Sequence, residues 1–209
     1  MKPLASLAIP GAPERRIELL QGDLSAPGAA RFDLLVVSAF PDNYVPTEGS
    51  LIGALHRRGV SLAELAARKE IDLRQHFSCW LSGELPSPDL GFRRILCFEP
   101  QVRGEPPSVV GDIFRALAPI LGERPELRSV AMPLVATGNQ RWSVAAILDP
   151  LLDAALNWMR HGLPLERLMI VAFDDEDAVQ ARELFEAWVD EAGLGEARSR
   201  SGTQHAAPE

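Results

Sequence analysis

An apolar run from Phe32 to Ala39 constrains the fold of this chain more than any other segment. Its residues are apolar almost without interruption, which is typical of a β-strand covered on both faces. Further strands are predicted at Arg93–Phe98, Ser129–Val135 and Leu168–Phe173. Segments with helical spacing lie between these strands, so the sequence predicts an α/β protein with a mostly parallel or mixed sheet.

The rest of the chain completes this alternation. Two more strands are predicted, at Arg15–Gln21 and Phe77–Leu81. Helices are predicted at Gly49–His56, Ser61–Lys69, Ser108–Leu121, Ser143–His161 and Asp177–Ala192. Ser61 followed three residues later by Glu64 forms a capping box. Pro150 predicts either a kink in its helix or a start later than Ser143.

The length of 209 residues favours one domain with extra tails. The first residues faintly resemble a signal peptide, but the apolar run is short and Pro10 interrupts it. From Gly195 onward the residues are small and polar, as in a frayed terminus. We therefore expect a flexible leader over residues 1–14, one α/β domain over residues 15–193 and a disordered tail over residues 194–209.

Composition limits the partners of the chain. The net charge of −8 argues against a nucleic-acid partner, because phosphate binding needs a basic face. No run approaches the roughly 20 apolar residues that span a bilayer, so no membrane association is expected. The histidines and cysteines show no metal-ligand spacing, and neither a metal nor a cofactor is predicted.

The two cysteines, Cys79 and Cys97, lie in apolar surroundings. They could form a disulfide, but the absence of a secretion signal favours buried, reduced thiols. We therefore expect a cytoplasmic protein.

Two strand-to-loop segments indicate a nucleotide pocket. The strand at Ser129–Val135 leads into a Thr137–Gly138 turn, and the strand ending at Ala39 leads to Gly49 and Ser50. Glycine turns after strands present backbone N–H groups to anions such as phosphate. Because ligands in α/β folds bind at the carboxyl ends of strands, the two loops are expected to face each other if their strands are neighbours.

Each loop has a simpler interpretation beside this one. Thr137, Gly138, Asn139 and Gln140 suit a diphosphate or a sugar, or they form an ordinary strand-to-helix turn. Gly49 and Ser50 can let the backbone approach a phosphate, whereas Gly53 and Ala54 can instead serve close helix packing.

Charged and aromatic residues near these loops carry the same ambiguity. Arg141 can pair with a phosphate, and Trp142 can stack on a base or fill the core. Phe173 can face the ligand, while the acids after it stabilise the start of the last helix. The segment His56–Arg58 is typical of a solvated helix end.

A carboxylate follows the first predicted strand. Asp23 can accept a hydrogen bond from an exocyclic amine such as that of adenine. Alternatively, it caps a short turn formed by its own backbone.

The order of these segments resembles the macro domain, an ADP-ribose-binding fold, from about Arg15 to Val189. The resemblance is carried by short motifs: Gly22-Asp23-Leu24, Asp33 to Ala39, Gly49 to His56, Pro133 to Gly138, and Val171 to Asp174. It implies a three-layer α/β/α domain with a mixed, mostly parallel sheet flanked by helices. It also implies a pocket for ADP-ribose in which Asp23 contacts the adenine.

The chain departs from this family at four places. Ser38 to Pro41 replaces paired asparagines, and the glycine run is reduced to Gly49 and Ser50. Ile52 stands where hydrolytic members have an acid, and Arg141 stands at a glycine. An isoleucine cannot activate a water molecule, so the resemblance implies nucleotide binding without the usual hydrolytic residues. Within this resemblance, the predicted ligand-binding residues are Asp23, Leu24, Ser38, Ala39, Gly49, Ser50, Thr137, Gly138, Asn139, Gln140, Arg141, Trp142 and Phe173.

Two other functions remain open. A divergent ADP-ribosyl hydrolase would use polar residues of the loop between Phe40 and Gly49, with Asp42, Asn43 and Glu48 as the catalytic candidates. A degenerate domain of this kind could also serve as an interaction module for a protein partner.

Overall fold

The computed structural model describes residues 1–100, 106–134 and 143–194, without the side chains of residues 106–109. Strands and helices alternate along much of these ranges. In chain order they are β1 Lys2–Ile9, β2 Ala12–Gln21, β3 Leu34–Ser38, α1 Leu51–Arg57, α2 Leu62–Ala67, β4 Ile71–Asp72, α3 Arg74–Phe77, β5 Cys79–Leu81, β6 Arg94–Phe98, α4 Pro106–Glu123, β7 Ser129–Pro133, α5 Val144–Arg160, β8 Arg167–Ala172 and α6 Asp175–Glu191.

These strands form one mixed sheet in the order β1-β2-β8-β7-β3-β6-β5-β4. The five strands from β2 to β6 in this order are parallel, while β1 at one end and β5 and β4 at the other are antiparallel to their neighbours. The predicted α/β class with a mostly parallel sheet is confirmed.

Strand β3 is buried on both faces, as its apolar run predicts. Leu34 and Val36 pack into one hydrophobic cluster, and Leu35 and Val37 pack into the other, because successive side chains of a strand point to opposite faces. Helices α4, α5 and α6 contribute to the first cluster, and α1 and α2 contribute to the second. The domain is therefore a three-layer α/β/α structure.

The predicted N-cap at Ser61 is present, and two further caps mark the starts of α5 and α6. The Ser61 hydroxyl accepts a hydrogen bond from the Glu64 backbone nitrogen at 3.3 Å, and Ser143 caps α5 through Ala146 at 3.2 Å. Helix α5 therefore begins at Val144 and continues through Pro150, so a start after this proline is excluded. Asp174 caps α6, which begins two residues before the predicted start at Asp177.

The prediction of a flexible leader over residues 1–14 is wrong. Residues Lys2–Ile9 form β1, which pairs antiparallel with β2 across a turn containing Gly11 at a φ of +84°. Pro10 lies in this turn, where it ends a strand rather than preventing one. Leu7 and Ile9 are buried in the cluster beneath α6, so hydrophobic packing holds β1 in place.

Two short elements were not predicted. Strand β4 has two residues and α3 has four, which is too short for a periodic pattern to appear in the sequence. The strand predicted from Phe77 begins at Cys79, because Phe77 is the last residue of α3 and Ser78 ends that helix. The predicted tail lies outside the described residues beyond Leu194.

Cys79 and Cys97 are buried free thiols, as expected. They belong to different hydrophobic clusters on opposite faces of the sheet. Burial raises the pKa of both thiols, as is typical of structural cysteines. Within the described ranges, no helix is long and apolar enough to cross a membrane.

Candidate functional site

A cavity of about 990 Å³ lies over the carboxyl ends of β2, β8, β7 and β3. Helix α1 and the loop before it form the opposite side. Because these four strands are parallel neighbours, the residues that follow them meet at one edge of the sheet. The cavity is lined by the predicted residues Asp23, Leu24, Ser38, Ala39, Gly49, Ser50 and Phe173.

The turn after β2 positions Asp23. The Asp23 Oδ1 atom accepts hydrogen bonds from the Ser25 backbone nitrogen at 2.8 Å and from the Ser25 hydroxyl at 2.7 Å. Gly22 donates to the Ala172 carbonyl at 2.9 Å, which ties this turn to the end of β8. Asp23 therefore caps its own turn, and it also lines the cavity. No described residue donates to its Oδ2 atom.

The loop before α1 is held by a close backbone approach. The Ser50 hydroxyl donates to the Thr47 carbonyl at 2.8 Å and accepts from the Gly53 nitrogen at 2.9 Å. A Cβ on Gly53 would lie 2.1 Å from the Thr47 oxygen, so only glycine fits there. Gly53 therefore allows a close approach, but its contact is this loop and not another helix. Gly49, at a φ of +76°, shapes the turn beside the cavity.

Of the three catalytic candidates, one lines the cavity and two do not. Asn43 lines the cavity, and its Oδ1 atom accepts from the Val45 nitrogen at 3.2 Å. Asp42 forms an ion pair with Arg74 at 2.8 Å and does not line the cavity. Glu48 is solvent-exposed and does not line it either. These contacts do not place the two acids where they could activate a water molecule inside the cavity.

A buried carboxylate that the sequence analysis did not identify lies beneath this loop. Glu99 follows β6, and its Oε1 atom accepts hydrogen bonds from the Tyr44 hydroxyl and from the Trp80 indole nitrogen. Its Oε2 atom lies 3.5 Å from Arg74 Nη1 and accepts from the Asp42 nitrogen at 3.4 Å. Burial and then the hydrogen bond to Glu99 raise the pKa of Tyr44.

Exposed apolar side chains border the cavity. Phe173 is 72% exposed, Val45 is 64% exposed and Phe40 is 44% exposed, and all three line the cavity. Among the described residues, Val179 is the other large exposed hydrophobic side chain, and it lies outside the lining. Exposed apolar side chains that cluster together are typical of a binding surface, whereas single scattered ones are common on any protein.

Charges of both signs line the cavity. Arg58 donates to the Ser25 carbonyl at 2.6 Å, and Arg57 has no ion-pair partner within the described part of the chain. Both arginines are exposed, as predicted for a helix end, but their position in the lining was not predicted. Burial, and then the neighbouring acids Asp174 and Glu176, raise the pKa of Asp177.

The second predicted loop follows β7. Thr137, Gly138, Asn139, Gln140, Arg141 and Trp142 lie outside the described residues. Strand β7 nevertheless carries the chain to the cavity, which Pro133 and Leu134 line. Across the described ranges, no group of three or more His, Cys, Asp or Glu residues could hold a metal ion.

No family model matches the sequence, and no curated protein matches it. Solved structures do match the fold. The Oceanobacillus iheyensis macrodomain with ADP is 14% identical at a TM-score of 0.65, over 85% of this chain and 94% of that chain. The Trypanosoma brucei macrodomain in complex with ADP-ribose is 19% identical at a TM-score of 0.63, over 81% of this chain and 68% of that chain. The chain therefore has the macrodomain fold.

Proposed function

We propose that this protein binds ADP-ribose, or a closely related NAD-derived nucleotide, in the cavity at the carboxyl ends of β2, β8, β7 and β3. One observation carries the proposal: seven predicted ligand-binding residues from four separate segments line this single cavity. Its volume of about 990 Å³ falls within the range of small-molecule sites. Structural neighbours of the same fold hold ADP and ADP-ribose, which supports the same ligand class here.

The lining residues suggest how the nucleotide would be held. The Oδ2 atom of Asp23 would accept a hydrogen bond from the adenine amine, while Oδ1 keeps the turn in place. The backbones of Gly49 and Ser50 and of residues 137–141 would hold the diphosphate. Phe173 or Trp142 would pack on the base or ribose, and Phe173 has the exposure that this role needs.

We further propose that the protein binds this nucleotide without hydrolysing it. Asp42 forms an ion pair with Arg74, and neither Asp42 nor Glu48 lines the cavity within the described residues. Ile52 lines the cavity, and the sequence resemblance implies that it stands where hydrolytic macro domains have an acid. An alkyl side chain cannot act as a general base. The two buried thiols suit a reducing compartment, and we propose a cytoplasmic location.

Calorimetry with ADP-ribose tests this function. We expect a saturable one-site titration, with weaker binding of AMP and of ribose 5-phosphate because each fills only part of the cavity. No heat at millimolar ADP-ribose would contradict the proposal and would favour a protein-interaction module. Release of ADP-ribose from a modified protein, lost on Asp42→Ala or Glu48→Ala, would instead show that the protein is a hydrolase.

A further inference from the structure

We propose that Glu99 is a positioning residue that holds the Phe40–Glu48 segment, termed the anchor loop, against the cavity and thereby sets its affinity for the nucleotide. This inference rests on the proposed function, and it assigns a role to a side chain that does not itself line the cavity among the described residues. The carboxylate acts through Tyr44.

The sheet brings Glu99 and the anchor loop together. Strands β3 and β6 are parallel neighbours, with Ser38 opposite Phe98. The Ala39 nitrogen donates to the Phe98 carbonyl at 2.9 Å, so the pairing continues beyond the end of β3. The anchor loop therefore begins beside the position at which β6 delivers Glu99.

The Glu99 carboxylate joins the anchor loop to the body of the domain. The Tyr44 hydroxyl and the Asp42 nitrogen reach it from the loop. The Trp80 indole on β5 and the Arg74 guanidinium on α3 reach it from below. The Tyr44 ring also packs edge-on against Trp80, with ring centroids 5.9 Å apart. A carboxylate with no exposed surface needs such partners, because an unpaired buried charge is costly.

The direction of Tyr44 determines which loop residues face the ligand. Tyr44 packs against the hydrophobic cluster below, whereas Asn43 and Val45 on either side of it line the cavity. Phe40 and Thr47 line it as well. A loop released from Glu99 would keep its sequence but lose this arrangement, so the cavity would lose an ordered wall.

Arg74 strengthens the anchor from outside the cavity. Its guanidinium contacts Asp42 at 2.8 Å and Asp72 at 2.8 Å, as well as Glu99. The Asp42 carboxylate is therefore fixed beside the same buried group that holds Tyr44. The ion pair with Arg74 explains why Asp42 lies outside the cavity lining.

Tyr44→Phe is the sharpest test, because it removes the loop's hydroxyl donor while Trp80 and Arg74 still contact Glu99. We expect hydrogen exchange of the Asp42, Asn43 and Val45 amides to accelerate at least fivefold in the ligand-free protein. We also expect the Kd for ADP-ribose to rise about tenfold, with a melting temperature lower by only a few degrees because Trp80 still donates to Glu99. The matched control is Trp188→Phe, which removes a donor to Asp153 between α6 and α5, away from the cavity.

The outcomes separate this inference from the proposed function. Unchanged amide exchange in Tyr44→Phe would overturn the anchor, whatever the protein binds. Faster exchange with an unchanged Kd would overturn its role in positioning the cavity wall. If the wild-type protein binds no ADP-ribose but Tyr44→Phe still accelerates exchange, the anchor stands and the ligand assignment falls. A Trp188→Phe variant that weakened ADP-ribose binding equally would also contradict the positioning role.

Discussion

Gly53 and Thr47 meet through their backbones: a Cβ on Gly53 would lie 2.1 Å from the Thr47 carbonyl oxygen. The first turn of α1 therefore packs directly on the loop that lines the cavity. Any side chain larger than the hydrogen of glycine would push the loop away, so the local geometry of the site requires glycine at position 53.

Gly53→Ala is expected to destabilise the fold by about 1–3 kcal/mol, because the methyl group forces a backbone shift. The control is Gly122→Ala in α4, where a Cβ meets open space, and it should stabilise by about 0.4–1 kcal/mol. Urea denaturation of both variants measures the difference. Equal stability of the two variants would contradict the close approach.

Phe173→Ser is expected to weaken ADP-ribose binding by about 1–3 kcal/mol, the usual contribution of a base stacked on an aromatic ring. Because this ring is 72% exposed, the melting temperature should barely change. Val179→Ser on α6 is the control, since that side chain is 60% exposed but lies outside the cavity lining. Calorimetry on the three proteins compares the Kd values, and equal values would exclude Phe173 as a ligand contact.

Asp23→Asn is expected to weaken binding about tenfold, as the loss of a hydrogen bond to a charged group would predict. The amide oxygen can still accept from Ser25, so the turn should remain folded. Asp23→Ala should weaken binding further, because it removes the turn contact as well. An unchanged Kd in Asp23→Asn would show that the carboxylate only caps its own turn.

The fold was predictable where single segments carry enough signal. The apolar run at Leu34–Val37 required cover on both faces, and the two hydrophobic clusters provide it. Strand β1 was missed because burial of Leu7 and Ile9 depends on α6, more than 160 residues later in the chain. The sequence of β1 itself does not indicate that a helix so far along the chain will cover it.

Part of the cavity lining was predictable for a similar reason. Asp23, Ser38 and Phe173 stand at strand ends, and parallel strands bring their ends together. Glu99 was missed, although it also directly follows a buried strand. Its partners Tyr44 and Trp80 lie 55 and 19 residues away, so spacing in the sequence does not associate them.

Glu70 is expected to make stability depend on pH in the acidic range. Hydrogen bonds from Arg94 and then Arg124 lower the pKa of this carboxyl below its usual 4.5. The resulting stabilisation is present above pH 4.5 and is lost as the pH falls through the lower pKa of the folded state. Glu70→Gln should therefore reduce the free energy of unfolding at pH 7 and have a smaller effect at pH 3.

Urea denaturation at the two pH values measures this dependence. Glu48→Gln is the control, because Glu48 is exposed and forms no ion pair within the described part of the chain. An effect of Glu70→Gln that is equal at both pH values would contradict the role of the arginine contacts.

Titration of isotope-labelled protein with ADP-ribose, followed through backbone amide NMR signals, tests the central claim most directly, because it reports binding and its location together. We predict saturable shifts at Gly22, Asp23, Ala39, Gly49 and Ser50, which line the cavity, with little change across α4. Shifts confined to residues outside the cavity, or no shifts at millimolar ADP-ribose, would contradict the assignment of this cavity as a nucleotide site.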